Sequence, residues 1–269
     1  MQNSKPIGVF DSGLGGLSVL GELKKILPNE NFIYFGDNAN VPYGEKSKEQ
    51  LVGFSRNILD YFASRDVKMA LMACNTSSAV TLGVVKEEYG FDVLGLIEPV
   101  AKYLAEQDIS KIGVIATSAT INSNAYQDKI LKYSSKNIFQ VACPGLVEIV
   151  EEGRIETAEA RNLVAKYVEP LLAQNVDKIV LGCTHYPFLG SIIEDLAQSK
   201  DILINPAAFL AQEAYAILKS KDLLNMGVLG STEFYTSKDP ESFVNVGKNL
   251  FSEVSTAELL ELNSLTKTS

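Results

Sequence analysis

The chain contains two matching apolar segments that each end in a cysteine. Val67–Cys74 and Val176–Cys183 align at a single offset, and in both a hydroxyl or amide side chain follows the thiol. The match extends upstream, because Ile7–Ser12 and Ile112–Thr117 are likewise apolar segments that end in polar residues. Two such pairs in the same order predict two copies of one structural unit that face a shared cleft.

The alternation of short apolar runs with amphipathic stretches predicts the fold class. Continuous apolar runs are typical of parallel strands buried on both faces, and parallel strands need crossover helices between them. We therefore predict an α/β fold with two pseudo-symmetric domains, each a mainly parallel sheet flanked by helices, and a functional cleft between them. The predicted strands are residues 6–10, 32–36, 68–74, 92–97, 111–116, 137–142, 176–182 and 201–204.

The part of the chain after residue 204 is too short to bury a good core alone. It contains an apolar run, Met226–Leu229, that we predict to be a further strand, and a predicted helix at residues 239–250. We expect it to pack onto the first copy. The first domain then comprises residues 1–97 plus 205–269, and the second comprises residues 98–204, beginning at a helix start marked by Pro99. The last residues, 263–269, are polar enough to fray.

Composition argues against several classes of protein. A net charge of −9 without a long Lys/Arg cluster is unfavourable for a nucleic-acid surface. No apolar stretch approaches the ~20 residues of a membrane helix, and the N-terminus lacks a signal-peptide pattern. We therefore expect a cytoplasmic protein with no membrane contact and with reduced thiols. The three cysteines form no C-x-x-C pair, which weakens a zinc site, although three cysteines and His185 could hold zinc on paper.

Polar side chains follow the matched strands where each strand ends. Ligands of open α/β sheets bind at the carboxyl ends of the strands. A single cysteine there could be no more than a small buried hydrophobic residue, but a matched pair places two thiols on opposite sides of a cleft. The residues expected to line the cleft at the strand ends of the two sheets are Asp11, Ser12, Cys74, Asn75, Thr76, residues 117–120, Cys183, Thr184 and His185.

The surroundings of both cysteines favour reactive thiols. Each precedes a predicted helix N-terminus, whose positive end stabilises a thiolate. His185 is the single histidine of the chain and lies two residues from Cys183. It could tune that thiol, protonate a substrate group, or have a structural role.

The glycine-rich segment after the first strand has two interpretations. Residues 11–16, with Asp37 at the end of the next strand, invite a dinucleotide-binding interpretation. The glycines do not fit G-x-G-x-x-G, because Ser18 occupies the third position, and Asp11 would repel a pyrophosphate. A carboxylate there suits an ammonium group better, or caps a turn.

Two opposed thiols with a carboxylate and several hydroxyls suit inversion of a carbon acid. One base removes a proton from one face of the carbon while an acid delivers a proton to the other face. Because the chain has no basic cluster for substrate carboxylates, backbone N–H groups, hydroxyls and amides would bind them.

Four motifs together resemble the glutamate racemase family over nearly the whole chain. They are F-D-S-G-x-G-G at residues 10–16, V-P-Y-G at residues 41–44, A-C-N-T-[AS]-S at residues 73–78, and L-G-C-T-H-[YF]-P at residues 181–187. The resemblance implies a cofactor-independent enzyme without a metal that interconverts L- and D-glutamate and supplies D-glutamate for peptidoglycan in the bacterial cytoplasm. It also implies a homodimer.

The resemblance also implies roles for individual residues. Cys74 is expected to act on D-glutamate and Cys183 on L-glutamate, assisted by Asp11 and His185. Glu151 stands where the family has an assisting glutamate, but Glu148 replaces the proline of that motif. The implied substrate contacts are Asp11, Ser12, Tyr43, Gly44, Asn75, Thr76, Thr117, Thr120, Thr184 and His185.

Three alternatives remain open from the sequence. The first is an aspartate racemase or related carbon-acid isomerase. The second is an amino-acid-binding protein without turnover. The third is an NAD-dependent oxidoreductase, which the broken glycine pattern disfavours.

Overall fold

The computed structural model describes residues 4–262, which form an α/β fold. Its strands are β1 (Ile7–Asp11), β2 (Phe32–Gly36), β3 (Met69–Met72), β4 (Asp92–Gly95), β5 (Lys111–Ala116), β6 (Asn137–Ala142), β7 (Lys178–Gly182), β8 (Leu203–Ile204), β9 (Thr232–Thr236) and β10 (Glu258–Leu259). Its α-helices are α1 (Leu17–Ile26), α2 (Lys48–Ser64), α3 (Asn75–Val80), α4 (Leu82–Val85), α5 (Ile97–Glu106), α6 (Ser118–Asn122), α7 (Ala125–Tyr133), α8 (Leu146–Glu151), α9 (Ala158–Leu172), α10 (Gly190–Ala197), α11 (Pro206–Ser220) and α12 (Pro240–Leu250). Short 3-10 helices occur at Tyr43–Glu45 and Tyr186–Leu189.

The strands form two parallel sheets with matching topology. The first sheet has the order β10-β9-β2-β1-β3-β4, and the second has the order β6-β5-β7-β8. The four strands β2-β1-β3-β4 therefore have the same arrangement as β6-β5-β7-β8. Every strand pair is parallel. The predicted fold of two mainly parallel sheets flanked by helices is confirmed.

The central strands are buried because helices cover both faces of each sheet. In the first sheet, β1 and β3 are buried along their whole length. One face packs against α1 and α11, and the other packs against α2. In the second sheet, α8, α9 and α10 cover one face, and α5 and α7 cover the other. This double coverage explains why the strands are continuous apolar runs in the sequence.

One predicted strand is wrong. Met226–Leu229 forms no strand, and the side chains of Met226, Val228 and Leu229 are 76%, 87% and 75% exposed. The strand lies a few residues later, at β9, which pairs with β2 along its full length. The pairing edge offered by β2, rather than local hydrophobicity, determines which residues become the strand. The predicted helix at residues 239–250 is confirmed as α12.

The chain after α11 returns to the first sheet, where β9 and β10 form its outer edge. A buried ion pair between Lys68 and Glu30, 2.5 Å apart, anchors the connection. Lys68 also donates to the carbonyl of Leu223, and Glu30 accepts the N–H of Asn225. The predicted fraying of residues 263–269 lies outside the described residues. No helix within the described part is both long and apolar enough to cross a membrane.

Candidate active site

The carboxyl ends of the central strands bring the matched polar residues together. Asp11 ends β1, Thr117 follows β5, and Cys183 follows β7. Cys74 lies two residues after β3 and immediately before α3, whose N-cap it occupies. Cys74 and Cys183 are only 4% and 5% exposed. The two thiols thus occupy equivalent places in the two sheets, both shielded from solvent.

Cys183 begins a chain of polar contacts through His185 to Glu151. The sulfur lies 3.6 Å from Nδ1 of His185, and Nε2 of the same ring lies 2.6 Å from Oε1 of Glu151. The backbone N–H of Leu14 donates to Oε1 of Glu151 at 2.7 Å, and Asn38 donates to Oε2 at 3.1 Å. The ring is therefore fixed between a thiol and a carboxylate that is itself held by two donors.

The surroundings of His185 favour its protonated form. Burial lowers the pKa of this imidazole, but contacts with Cys183 and Glu151 raise it more, so that it lies well above the usual 6.5. The imidazolium then persists at pH values where an ordinary histidine is neutral. The charged ring lies directly beside the sulfur of Cys183.

Cys74 has the opposite electrostatic setting. Burial, followed by the negative charge of Asp11, raises the pKa of this thiol to about 12, although the N–H and hydroxyl of Ser77 act in the other direction. Cys74 is consequently a thiol at neutral pH. One sulfur is thus beside a cation and the other beside a carboxyl group, so the two sites are chemically unequal.

Asp11 lies where the two halves of the molecule meet. Its Oδ2 accepts the N–H of Gly13 at 3.0 Å, and its Oδ1 accepts the hydroxyl of Thr184 at 3.0 Å. Burial raises the pKa of Asp11, while His185 lowers it. The carboxyl group therefore contacts the residue next to Cys183, and its negative charge acts on Cys74.

Three threonine hydroxyls form a second contact between the halves. Thr76 in α3 lies 2.9 Å from Thr117, and Thr117 lies 3.0 Å from Thr120, measured between Oγ1 atoms. Gly44 packs on this cluster, since a Cβ on Gly44 would lie 2.8 Å from Cβ of Thr117. The structure thus brings four of the expected substrate contacts together.

Tyr43 and Ser12 differ in how their hydroxyls are used. The hydroxyl of Tyr43 donates to Asp37 at 2.6 Å, and the side chain is buried. Asp37 also accepts the hydroxyl of Ser237 at 2.7 Å and the amide of Asn40. Asp37 is thereby engaged inside the protein, which disfavours the dinucleotide interpretation. The hydroxyl of Ser12 makes no hydrogen bond to any residue between 4 and 262.

The glycine-rich segment lies directly on the side chains of the site. A Cβ on Gly13 would lie 2.2 Å from Oε1 of Glu151, and one on Gly15 would lie 2.4 Å from Nδ1 of His185. The glycines are therefore needed because the backbone packs against the carboxylate and the imidazole. Close packing against side chains, rather than against a pyrophosphate, explains this pattern.

Sequence reasoning missed two residues that hold the site. Asn38 contacts Glu151, and its position just after β2 is a signal that could have identified it. Tyr126 donates to Oδ1 of Asn75 at 2.5 Å, but it lies within α7 and carries no sequence signal.

Cys143 stands apart from the two matched thiols. It follows β6, is 1% exposed, and its sulfur lies 3.4 Å from the carbonyl oxygen of Val141. Within residues 4–262, no group of three or more His, Cys, Asp or Glu side chains is arranged to hold a metal ion.

Comparisons with known proteins identify the family of this chain. A model of the Asp/Glu/Hydantoin racemase family matches residues 7–214. The glutamate racemase of Carboxydothermus hydrogenoformans is 44% identical, over 90% of this chain and 90% of that protein. The glutamate racemase of a Picosynechococcus species is 39% identical, over 98% and 95% of the two chains.

Solved structures give the same result. The glutamate racemase of Thermus thermophilus has a TM-score of 0.88 at 35% identity, covering 98% of this chain and 100% of that chain. The glutamate racemase of Francisella tularensis, solved in complex with D-glutamate, has a TM-score of 0.89 at 34% identity, covering 97% and 99%. An aspartate racemase of Picrophilus torridus, at 20% identity and a TM-score of 0.57, shares the fold. The chain belongs to the Asp/Glu/Hydantoin racemase family, among the glutamate racemases, and is an amino-acid racemase.

Proposed function

We propose that this protein interconverts L-glutamate and D-glutamate by cofactor-independent proton transfer at the α-carbon. The observation that carries the proposal is the placement of Cys74 and Cys183 at equivalent strand ends of two sheets, with different charged neighbours. Glutamate as substrate is further supported by the relatives, one of which was solved with D-glutamate.

In the direction from L-glutamate, the Cys183 thiolate takes the α-proton. The electron pair of the broken C–H bond remains on the substrate, delocalised toward its α-carboxylate, and the Cys74 thiol delivers a proton to the opposite face. Cys183 ends as a thiol and Cys74 as a thiolate. The reverse reaction, from D-glutamate, begins with the enzyme in this protonation state. Each transfer is general acid–base catalysis by a positioned group.

The neighbours of the thiols adjust these transfers. His185, held by Glu151, stabilises the Cys183 thiolate through its positive charge. Asp11 raises the proton affinity of Cys74 through its negative charge, which favours the thiol form of that residue. In addition, an aspartate at this position suits the ammonium group of an amino acid.

The substrate carboxylates would be bound without arginine or lysine. Hydroxyl, amide and backbone donors fixed in a water-poor cleft can stabilise negative charge effectively. The proposed donors and contacts are Asp11, Ser12, Tyr43, Gly44, Asn75, Thr76, Thr117, Thr120, Thr184 and His185.

The test of this function is an assay of both acidic amino acids. The purified protein is incubated separately with L-glutamate and L-aspartate, and the D-enantiomers are measured by chiral chromatography. We expect D-glutamate as the main product. D-aspartate formation with little D-glutamate would overturn the choice of substrate, and binding of glutamate with no racemisation would indicate a binding protein.

Cysteine variants test the roles of the thiols. We expect Cys74→Ser and Cys183→Ser each to reduce racemisation by at least about 10²-fold, because each removes an acid–base group. Cys143→Ser is the matched control, since it replaces a buried cysteine outside the proposed chemistry and should retain activity. Near-normal turnover in either of the first two variants would disprove that residue's role.

We further propose that the enzyme is a cytoplasmic homodimer that supplies D-glutamate for peptidoglycan. The relationship to the glutamate racemases supports this biological role. Growth of a D-glutamate-requiring bacterium on expression of the chain tests the role, and sedimentation equilibrium tests the dimer. Failure to restore growth, or a monomer at all concentrations, would contradict the respective claims.

A further inference from the structure

Tyr126 connects the second half of the molecule to a residue beside Cys74. Its hydroxyl donates to Oδ1 of Asn75 at 2.5 Å. Asn75 is the first residue of α3, and Tyr126 lies in α7, which packs on the other sheet. Tyr126 is fully buried and Asn75 is 3% exposed. The contact therefore fixes Asn75 from the half of the molecule that contains the second sheet.

This hydrogen bond determines the orientation of the Asn75 amide. An asparagine amide has an acceptor end and a donor end, and a phenol that donates must meet the oxygen. Burial, followed by the negative charge of Cys183, raises the pKa of Tyr126 above its usual 10. The phenol consequently keeps its proton and remains a donor throughout the working pH range.

The donor end of Asn75 is left without a partner in the protein. Its NH₂ group makes no hydrogen bond to any residue that the structure describes. Two neighbouring hydroxyls are occupied, since Thr76 contacts Thr117 and Ser78 donates to the carbonyl of Met72. Asn75 is only 3% exposed, so this donor meets little solvent. A ligand that accepts from the NH₂ group would give it the partner that the protein does not supply.

We propose that Tyr126 is a positioning residue for substrate binding, which holds Asn75 so that its NH₂ group donates to a carboxylate of glutamate. The inference rests on the proposed function, because it assigns the ligand of that same cleft. Without the phenol, the amide is free to rotate by half a turn. Its oxygen would then face the substrate carboxylate, and the two acceptors would repel each other.

Tyr126→Phe tests the proposal by removing only the hydroxyl. We expect the KM for glutamate to rise about tenfold, the effect of about 1.4 kcal/mol, while kcat stays within about threefold. Tyr167→Phe is the matched control, because it deletes a hydroxyl that donates at 2.9 Å to the carbonyl of Pro144. The control should keep the wild-type KM. An unchanged KM in Tyr126→Phe, or a loss confined to kcat, would overturn the proposal.

A double-mutant cycle separates positioning from a merely structural role. If Tyr126 acts through Asn75, then Tyr126→Phe should raise KM no further in an Asn75→Ala background. An equal increase in both backgrounds would show that Tyr126 acts independently of Asn75 and would contradict the proposal.

A third variant keeps the test decisive if Tyr126→Phe fails to fold. Asn75→Asp retains an acceptor for Tyr126 but replaces the NH₂ group with a second oxygen. We expect this variant to melt as the wild type does and to bind glutamate more than tenfold more weakly. Wild-type affinity in Asn75→Asp would refute the proposed donor.

Calorimetric binding of glutamate distinguishes this inference from the proposed function. A wild-type protein that binds glutamate without racemising it would disprove the function, yet the Tyr126→Phe comparison would still apply. Equal glutamate affinity in wild type and Tyr126→Phe would disprove the positioning role alone.

Discussion

Glu151 joins three separate parts of the chain at a single carboxylate. Its two oxygens are held by Leu14, Asn38 and His185. The imidazole in turn contacts Cys183 at 3.6 Å. A carboxylate on the far nitrogen of a histidine fixes the ring and favours its charged form. At the scale of residues, we therefore predict that Glu151 controls the charge of His185.

The titration of His185 tests this dependence directly. Because the chain has one histidine, its imidazole C–H signals in an NMR spectrum need no assignment. We expect its pKa above the usual 6.5 in the wild type and lower in Glu151→Gln, which removes the negative partner. Glu148→Gln, one turn earlier in α8, is the matched control. An unshifted pKa in Glu151→Gln would show that Glu151 does not set this charge.

The same shift predicts a pH dependence of stability. Because the pKa of His185 is raised in the folded state, its protonation stabilises the fold fully at pH values below the pKa of the unfolded chain, near 6.5. This stabilisation is lost as the pH rises through the pKa of the folded state. The difference in unfolding free energy between wild type and His185→Gln should therefore shrink with rising pH. A difference that grows over that range would contradict the assignment.

The residues that follow strands were predictable from the sequence, whereas those that act across the fold were not. Asp11, Cys74, Cys183 and His185 could be placed because each follows an apolar run. The partners of Asn75 depend on tertiary structure, since Tyr126 is 51 positions away. Glu151 in isolation looks like a solvated helix end, and only the family resemblance identified it.

At the scale of elements, the segment between β1 and α1 shapes the site by packing against it. A Cβ on Gly15 would lie 2.4 Å from Nδ1 of His185 and 2.6 Å from Oγ1 of Thr184.

Strand predictions succeeded where a run is buried on both faces and failed at Met226–Leu229. Those residues are apolar but meet no pairing edge, which a local pattern does not reveal.

Gly15→Ala should displace the imidazole from its place between Cys183 and Glu151. A misplacement of about 1 Å can cost about 10²-fold in rate, so we expect a loss of racemisation of that order. Gly53→Ala is the control, because a Cβ there meets no atom within 4 Å. Gly53 is exposed inside α2, and its replacement should stabilise the protein by about 0.5–1 kcal/mol. Normal activity in Gly15→Ala would show that the close packing is unimportant.

At the scale of the whole molecule, the chain leaves the first sheet and later returns to it. We propose on this basis that residues 1–97 and 205–269 form one domain and residues 98–204 the other. The buried pair Lys68–Glu30 lies at the amino ends of the strands, opposite the thiols, and holds the returning segment through Leu223 and Asn225.

Removing one member of this pair should destabilise the protein without altering its chemistry. Glu30→Ala leaves the buried ammonium of Lys68 without its carboxylate, which costs about 3 kcal/mol for pairs of this kind. Glu22→Ala, which removes an exposed pair with Lys25, should cost less than about 1 kcal/mol. Urea unfolding measures both. Equal losses would show that the buried pair is not an anchor.

Racemisation in D₂O tests whether two opposed thiols exchange protons with the α-carbon. The reaction is started from one enantiomer and stopped early, and deuterium is measured in the separated enantiomers. We predict deuterium at the α-carbon of the product, while the unreacted substrate keeps its proton. Equal early exchange in both enantiomers would require one base that serves both faces and would contradict the two-thiol mechanism.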